Sequence, residues 1–248
     1  MKTLLTTTGM LSGLLLATSA SAEGLSFGLE IPILTIYADH GAGEIDGGNA
    51  WFDEDGSANA FRITAAYDIS ESFGVRGRVF KFDGEFDDPD DQFDARTIDV
   101  EAVMNTDLGG LDLDVFAGLR SGSVDWSDED GSTGYGFDGV GPTIGLQVTH
   151  SFGNGLGMIV GGRYSAMLGD TTELTSDDTA DNVVVSSVDL RIGLDYARDL
   201  ASGGSMTFGV GVESTSFLSL SGNVDNDIDP EDVSVTLAGP YLSLGFTF

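Results

Sequence analysis

Tyr241-Leu242-Ser243-Leu244-Gly245-Phe246-Thr247-Phe248 alternates without a break to the last residue. Leu242, Leu244, Phe246 and Phe248 share one face, and Tyr241, Ser243, Gly245 and Thr247 share the other. Period-two alternation marks a strand with two different environments. Termini of soluble domains usually fray, so an amphipathic strand that runs to an aromatic end predicts a partner for that strand. An outer-membrane β-barrel supplies one. Its final strand pairs with the first to close the sheet, and a C-terminal Phe is the usual assembly mark of that class.

The other end agrees. Lys2 is followed by a mostly apolar run from Leu4 to Ala17, and Ala20-Ser21-Ala22 forms an A-x-A cleavage site before Glu23. This predicts a secretory signal peptide over residues 1–22 and a barrel over 23–248; the apolar run is too short to span a bilayer. No later stretch approaches the roughly 18 consecutive apolar residues of a transmembrane helix. A membrane-spanning form of this chain must therefore be a closed barrel.

Composition excludes other classes. There is no Cys, so neither a disulfide framework nor a thiolate metal site can exist. The formal charge of −31, which becomes −32 when Lys2 leaves with the signal, excludes nucleic acid as a partner, because phosphate-backbone affinity comes from Lys and Arg. A hydrophobic content of 41% argues against the disorder that high acidity alone would suggest.

Ten alternating segments are predicted as strands: 25–37, 58–69, 73–83, 93–105, 111–122, 137–150, 156–168, 183–197, 205–217 and 233–248. Most are long enough to cross a bilayer core at a barrel tilt. The expected fold is all-β, an antiparallel up-and-down transmembrane β-barrel of about ten strands, with eight and twelve as the neighbouring sizes. One strand is less clean than the rest: Phe80 and Phe82 share the face of Arg76 and Arg78.

Connections alternate in length. Short turns fall at Ser70–Ser72, Thr106–Gly110, Ser151–Gly155 and Arg198–Gly204. The other five connections are longer and acidic. They hold Asp53 and Asp55, Asp88 and Asp90, Asp128 and Asp130, Asp177 and Asp178, and Asp227 and Asp229. In an up-and-down barrel every second connection emerges on one side, so these carboxylates are expected to form one acidic outer rim opposite the short periplasmic turns. Two of the loops repeat a pattern, Trp51-Phe52-Asp53-Glu54-Asp55-Gly56-Ser57 and Trp126-Ser127-Asp128-Glu129-Asp130-Gly131-Ser132. Each Trp is expected at the membrane interface. The spacing lacks the full EF-hand ligand set, which leaves weak, shared divalent-cation binding at the rim and no dedicated metal site.

With the apolar residues facing lipid, the lumen receives Glu30, Arg62, Asp68, Arg76, Arg78, Asp99, Glu101, Asp112, Asp114, Arg120, Arg163, Asp189, Arg191, Asp195 and Glu213. Folding strands three and four about their loop sets Arg76 near Glu101 and Arg78 near Asp99, where opposite charges stabilise a ladder. A barrel of this size can still be filled by side chains. Two readings follow for the charge network: a salt-bridged plug, or a narrow pore whose acidic mouth favours cations.

An enzyme is the outlying reading. Asp39-His40 opens the first long loop as a His that an Asp could orient. However, His150 falls at the opposite rim and no G-x-S-x-G nucleophile motif occurs. Gly153-Asn154-Gly155-Leu156-Gly157 leads into a strand, not the helix that a phosphate loop requires. No catalytic residue and no cofactor is expected. The expected partners are outer-membrane lipid and lipopolysaccharide, and the barrel-assembly machinery acting on the C-terminal strand.

Three stretches carry a family resemblance: Phe137-Asp138-Gly139-Val140-Gly141-Pro142-Thr143-Ile144-Gly145-Leu146, Leu190-Arg191-Ile192-Gly193-Leu194-Asp195-Tyr196, and Leu237-Ala238-Gly239-Pro240-Tyr241-Leu242. They resemble the Legionella-type major outer-membrane protein family. The resemblance implies a pore-forming barrel in a Gram-negative outer membrane, passing ions or small hydrophilic solutes, and the expected function is accordingly a small, cation-preferring porin, with the plugged barrel as the alternative. It assigns no binding residue.

Overall fold

The computed structural model describes residues 24–40, 43–45, 59–85, 92–127, 134–173, 178–201, 203–220 and 233–248. The alternating segments form β1 (Leu25–Pro32), β2 (Thr35–His40), β3 (Gly43–Ile45), β4 (Asn59–Ser70), β5 (Phe73–Glu85), β6 (Gln92–Asp107), β7 (Leu111–Ser127), β8 (Gly134–Gly153), β9 (Leu156–Glu173), β10 (Asp178–Asp199), β11 (Ser205–Leu218) and β12 (Val233–Thr247). Successive strands from β4 to β12 pair antiparallel with their neighbours.

The sheet closes where the C-terminal alternation predicts. β12 pairs with β11 on one side, and with β1 and β2 on the other. Phe27 stands opposite Phe246, and the Phe248 amide donates to the Leu25 carbonyl at 3.0 Å. β1 and β2 are one barrel strand interrupted after Pro32, so the closed barrel has ten strands. The Ile33 amide donates to the Pro240 carbonyl at 2.7 Å and carries the pairing with β12 across the break. The ladder between β1 and β4 stops at Glu30 opposite Arg62, short of Pro32, which has no amide to give it. Beyond the break the free edge of β2 pairs with β3 instead.

The short turns follow from local chemistry. Between β8 and β9, Asn154 and Gly155 both adopt positive φ, 54° and 82°, the Asn-Gly signature of a two-residue hairpin. At the other end, hairpins run further than the apolar alternation suggests. β7 reaches Ser127, β8 starts at Gly134, β9 reaches Glu173 and β10 starts at Asp178. The ladders continue there, as in Trp126 opposite Tyr135 and Phe137 opposite Thr171. Backbone pairing does not need a lipid-facing side chain, so strands outlast the apolar band.

That band lies on the outside. Val100 and Leu119 are 66% and 60% exposed, the state of a residue that faces lipid, not a protein core. The inner face divides into a charged layer and, nearer the long loops, an apolar one. No helix among the described residues is long and apolar enough to cross a membrane.

Candidate functional site: the barrel lumen

Parity along each strand sends the charged residues inward, and the ladder register brings them together. Arg76 is opposite Glu101 and Arg78 opposite Asp99, as the hairpin arithmetic predicts. Arg76 Nε donates to Glu101 Oε2 at 2.8 Å, and Arg78 Nε to Asp99 Oδ2 at 2.9 Å. Contacts across the lumen are less predictable from sequence. Arg120 Nε reaches Asp99 at 2.7 Å, and its Nη2 reaches Asp189 Oδ2 at 2.7 Å. Arg78 and Arg163 meet the same Asp189 oxygen at 2.8 and 3.2 Å. Arg163 also pairs with Glu101 at 2.8 Å.

A second group adjoins the first. Arg62 donates two hydrogen bonds to Glu213, at 2.7 and 3.0 Å, and also pairs with Glu30, which accepts from Arg191 at 2.9 Å. Six Arg thus meet five carboxylates, Glu30, Asp99, Glu101, Asp189 and Glu213. Charges removed from water must be paired to be tolerated. Aromatic faces hold the guanidiniums in place as well: Arg76 and Arg163 lie over Phe116 at 4.2 and 4.7 Å, and Arg191 over Tyr241 at 4.7 Å.

Asp112 and Asp114 fall outside this network, nearer the short turns. Asp114 lines a cavity of about 440 Å³ that runs from the charge layer toward the turn end, with Asp68, Asp195, Asn105, Ser243 and Thr207 on its walls.

On the loop side, the lumen is filled by apolar side chains. Phe80, Phe82, Phe93, Phe137, Phe217, Met167, Leu34, Ile36 and Leu237 are enclosed there as one cluster. Sequence reasoning missed this layer, although its signal was present in the two Phe of β5 that share the face of Arg76 and Arg78. They line the lumen, not the lipid. Trp126 corrects an expectation: it packs against this cluster instead of lying at the membrane interface, because it shares the inward parity of Arg120 and Val124. Inward glycines make room for the filling; a Cβ on Gly139 would strike the Phe137 ring, and one on Gly122 would meet Met167 Sδ at 2.6 Å.

The acidic loop residues Asp53, Asp55, Asp88, Asp90, Asp128, Asp130, Asp177, Asp227 and Asp229 lie outside the described residues, as does Trp51; Asp178 begins β10. Asp39 and His40 end β2. His150 packs edge-on against Phe152 at the turn end, with Nδ1 3.3 Å from the Gly110 carbonyl oxygen. Among the described residues no group of three or more His, Cys, Asp or Glu is placed to hold a metal.

A closed antiparallel barrel with an apolar exterior and a charged interior defines an outer-membrane β-barrel protein of the Gram-negative type. The chain belongs to the family described as Legionella pneumophila major outer membrane protein precursor, whose model matches residues 123–248. No curated protein matches the chain significantly. Among solved structures it is similar to the outer membrane protease OmpT from Escherichia coli, with a TM-score of 0.53 and 11% identity, covering 92% of this chain and 98% of that one. It is also similar to the translocator domain of autotransporter NalP from Neisseria meningitidis, with a TM-score of 0.49 and 11% identity, covering 96% of this chain and 94% of that one. At such identities the likeness is one of fold alone.

Proposed function

We propose that the protein is a sealed outer-membrane barrel that presents its acidic loops at the cell surface, performs no catalysis and passes no steady ion current. The observation that carries this reading is the apolar layer across the lumen. Phe80, Phe82, Phe93, Phe137 and Phe217 are enclosed on the loop side of a charge network that is already internally paired. Hydrophobic constrictions exclude water and with it hydrated ions. Weak divalent-cation binding by the loops, and recognition of the C-terminal strand by the assembly machinery, belong to the same proposal.

A small cation-preferring porin is the second reading. The 440 Å³ turn-end cavity favours it, since it has the place and lining of an inner vestibule, and so does the pore-forming character that the family resemblance implies. Single-channel recording in a planar bilayer separates the two. Protein whose folding is verified by a heat-dependent gel shift is expected to give no conductance steps. Discrete steps would replace the sealed barrel by the porin, and their reversal potential in a salt gradient would then read the selectivity.

A further inference from the structure

The chain carries ten Lys and Arg. Lys2 precedes the described residues, six Arg pair in the lumen, and Arg198 stands near the turn end of β10. The remaining two occur together. Lys81 of β5 is directly opposite Arg96 of β6. Both have outward parity: Lys81 follows Val75 and Val79, and Arg96 shares its face with Ile98 and Val100. Each stands two residues beyond the last outward apolar side chain of its strand, Val79 or Ile98. They therefore occupy the upper edge of the lipid-facing band.

Like charges facing each other across a ladder repel. Local carboxylates compensate in part. Lys81 Nζ is 2.7 Å from Asp83 Oδ2, while Arg96 is exposed and makes no ion pair with the described residues. Asp83 and Asp94 face each other one step further toward the loops, with Asp125 opposite Asp94. An anion arriving along the apolar band meets the two cations first. A bilayer supplies such an anion at this depth, because a lipid whose acyl chains lie on Val79, Ile98 and Val100 carries its phosphate at the band edge. Arg offers a planar fork and Lys a point charge, a combination suited to a phosphate.

We propose that Lys81 and Arg96 form a docking site for a phosphate of the outer-leaflet glycolipid, lipopolysaccharide. The assignment rests on the acidic-loop end facing the cell exterior and is independent of whether the lumen conducts. Native mass spectrometry of the full barrel in detergent, titrated with deep-rough lipopolysaccharide, tests it. The Lys81→Gln/Arg96→Gln double variant should bind about tenfold more weakly or worse, the scale of losing charge-assisted hydrogen bonds, while Arg198→Gln binds as the parent does. Dephosphorylated lipopolysaccharide should bind the parent protein as weakly as the intact glycolipid binds the double variant, a comparison that needs no mutation. Equal binding of dephosphorylated glycolipid, or parent-like binding by a folded double variant, would overturn the site. Equal binding of phosphatidylglycerol would overturn its assignment to the glycolipid.

Discussion

Arg120 has no exposed surface, and it joins Asp99 of the neighbouring strand to Asp189 across the lumen. Ser187 accepts a further hydrogen bond from it at 2.6 Å. Replacing Arg120 by Met removes a cation shared by the buried Asp99 and the partly buried Asp189, and breaking a buried pair costs about 3–5 kcal/mol. Arg191→Met should cost less, because Arg191 is a fifth exposed and, among the described carboxylates, pairs with Glu30 alone. Urea unfolding in detergent micelles checks the order; equal midpoints for the two variants would contradict it. The partners that sequence could name were those set by one hairpin, Arg76 with Glu101 and Arg78 with Asp99. Asp189 joining Arg78, Arg120 and Arg163 was not legible, because cross-lumen contacts depend on barrel size and strand stagger, which no local pattern encodes.

At the level of the strand and turn, alternation located all ten barrel strands but not their loop-side ends. β7 to β10 extend past the last outward apolar residue, where the ladder has no hydropathy signal. The inward Phe of β5 illustrates the complementary error. An apolar side chain need not face lipid: Phe80 and Phe82 obey their strand's parity and fill the lumen. Turn chemistry was more reliable. Gly155 has φ of +82°, and a Cβ there would strike the Ala197 carbonyl oxygen. Gly155→Ala is expected to destabilise the barrel by about 1–3 kcal/mol. Gly153→Ala has open space around its Cβ position and strains φ alone, so it should cost less. Thermal gel-shift midpoints of the two variants would show that difference, and a Gly155→Ala barrel as stable as the parent would refute it.

Across the whole molecule the ladders are unequal. β9 and β10 pair along almost their full lengths, from Leu156 opposite Tyr196 to Glu173 opposite Asp178. β1 pairs with β12 only from Ser26 to Pro32, and with β4 only from Leu25 to Glu30. Local opening at β1 breaks far fewer ladder hydrogen bonds than opening at β9 or β10. Hydrogen–deuterium exchange is therefore expected to label the β1 amides before those of β9 and β10; equal protection would refute this. The short closing ladder also has a temporal consequence. Every other strand from β4 to β12 meets its neighbour through a hairpin, but β1 and β12 must find each other from opposite ends of the chain. The hairpins can zip up in succession, whereas the seam waits for the whole ribbon to curl. Closure is thus the slow, non-local step of assembly, and the interval before it is when the row from Tyr241 to Phe248 stands as an open edge.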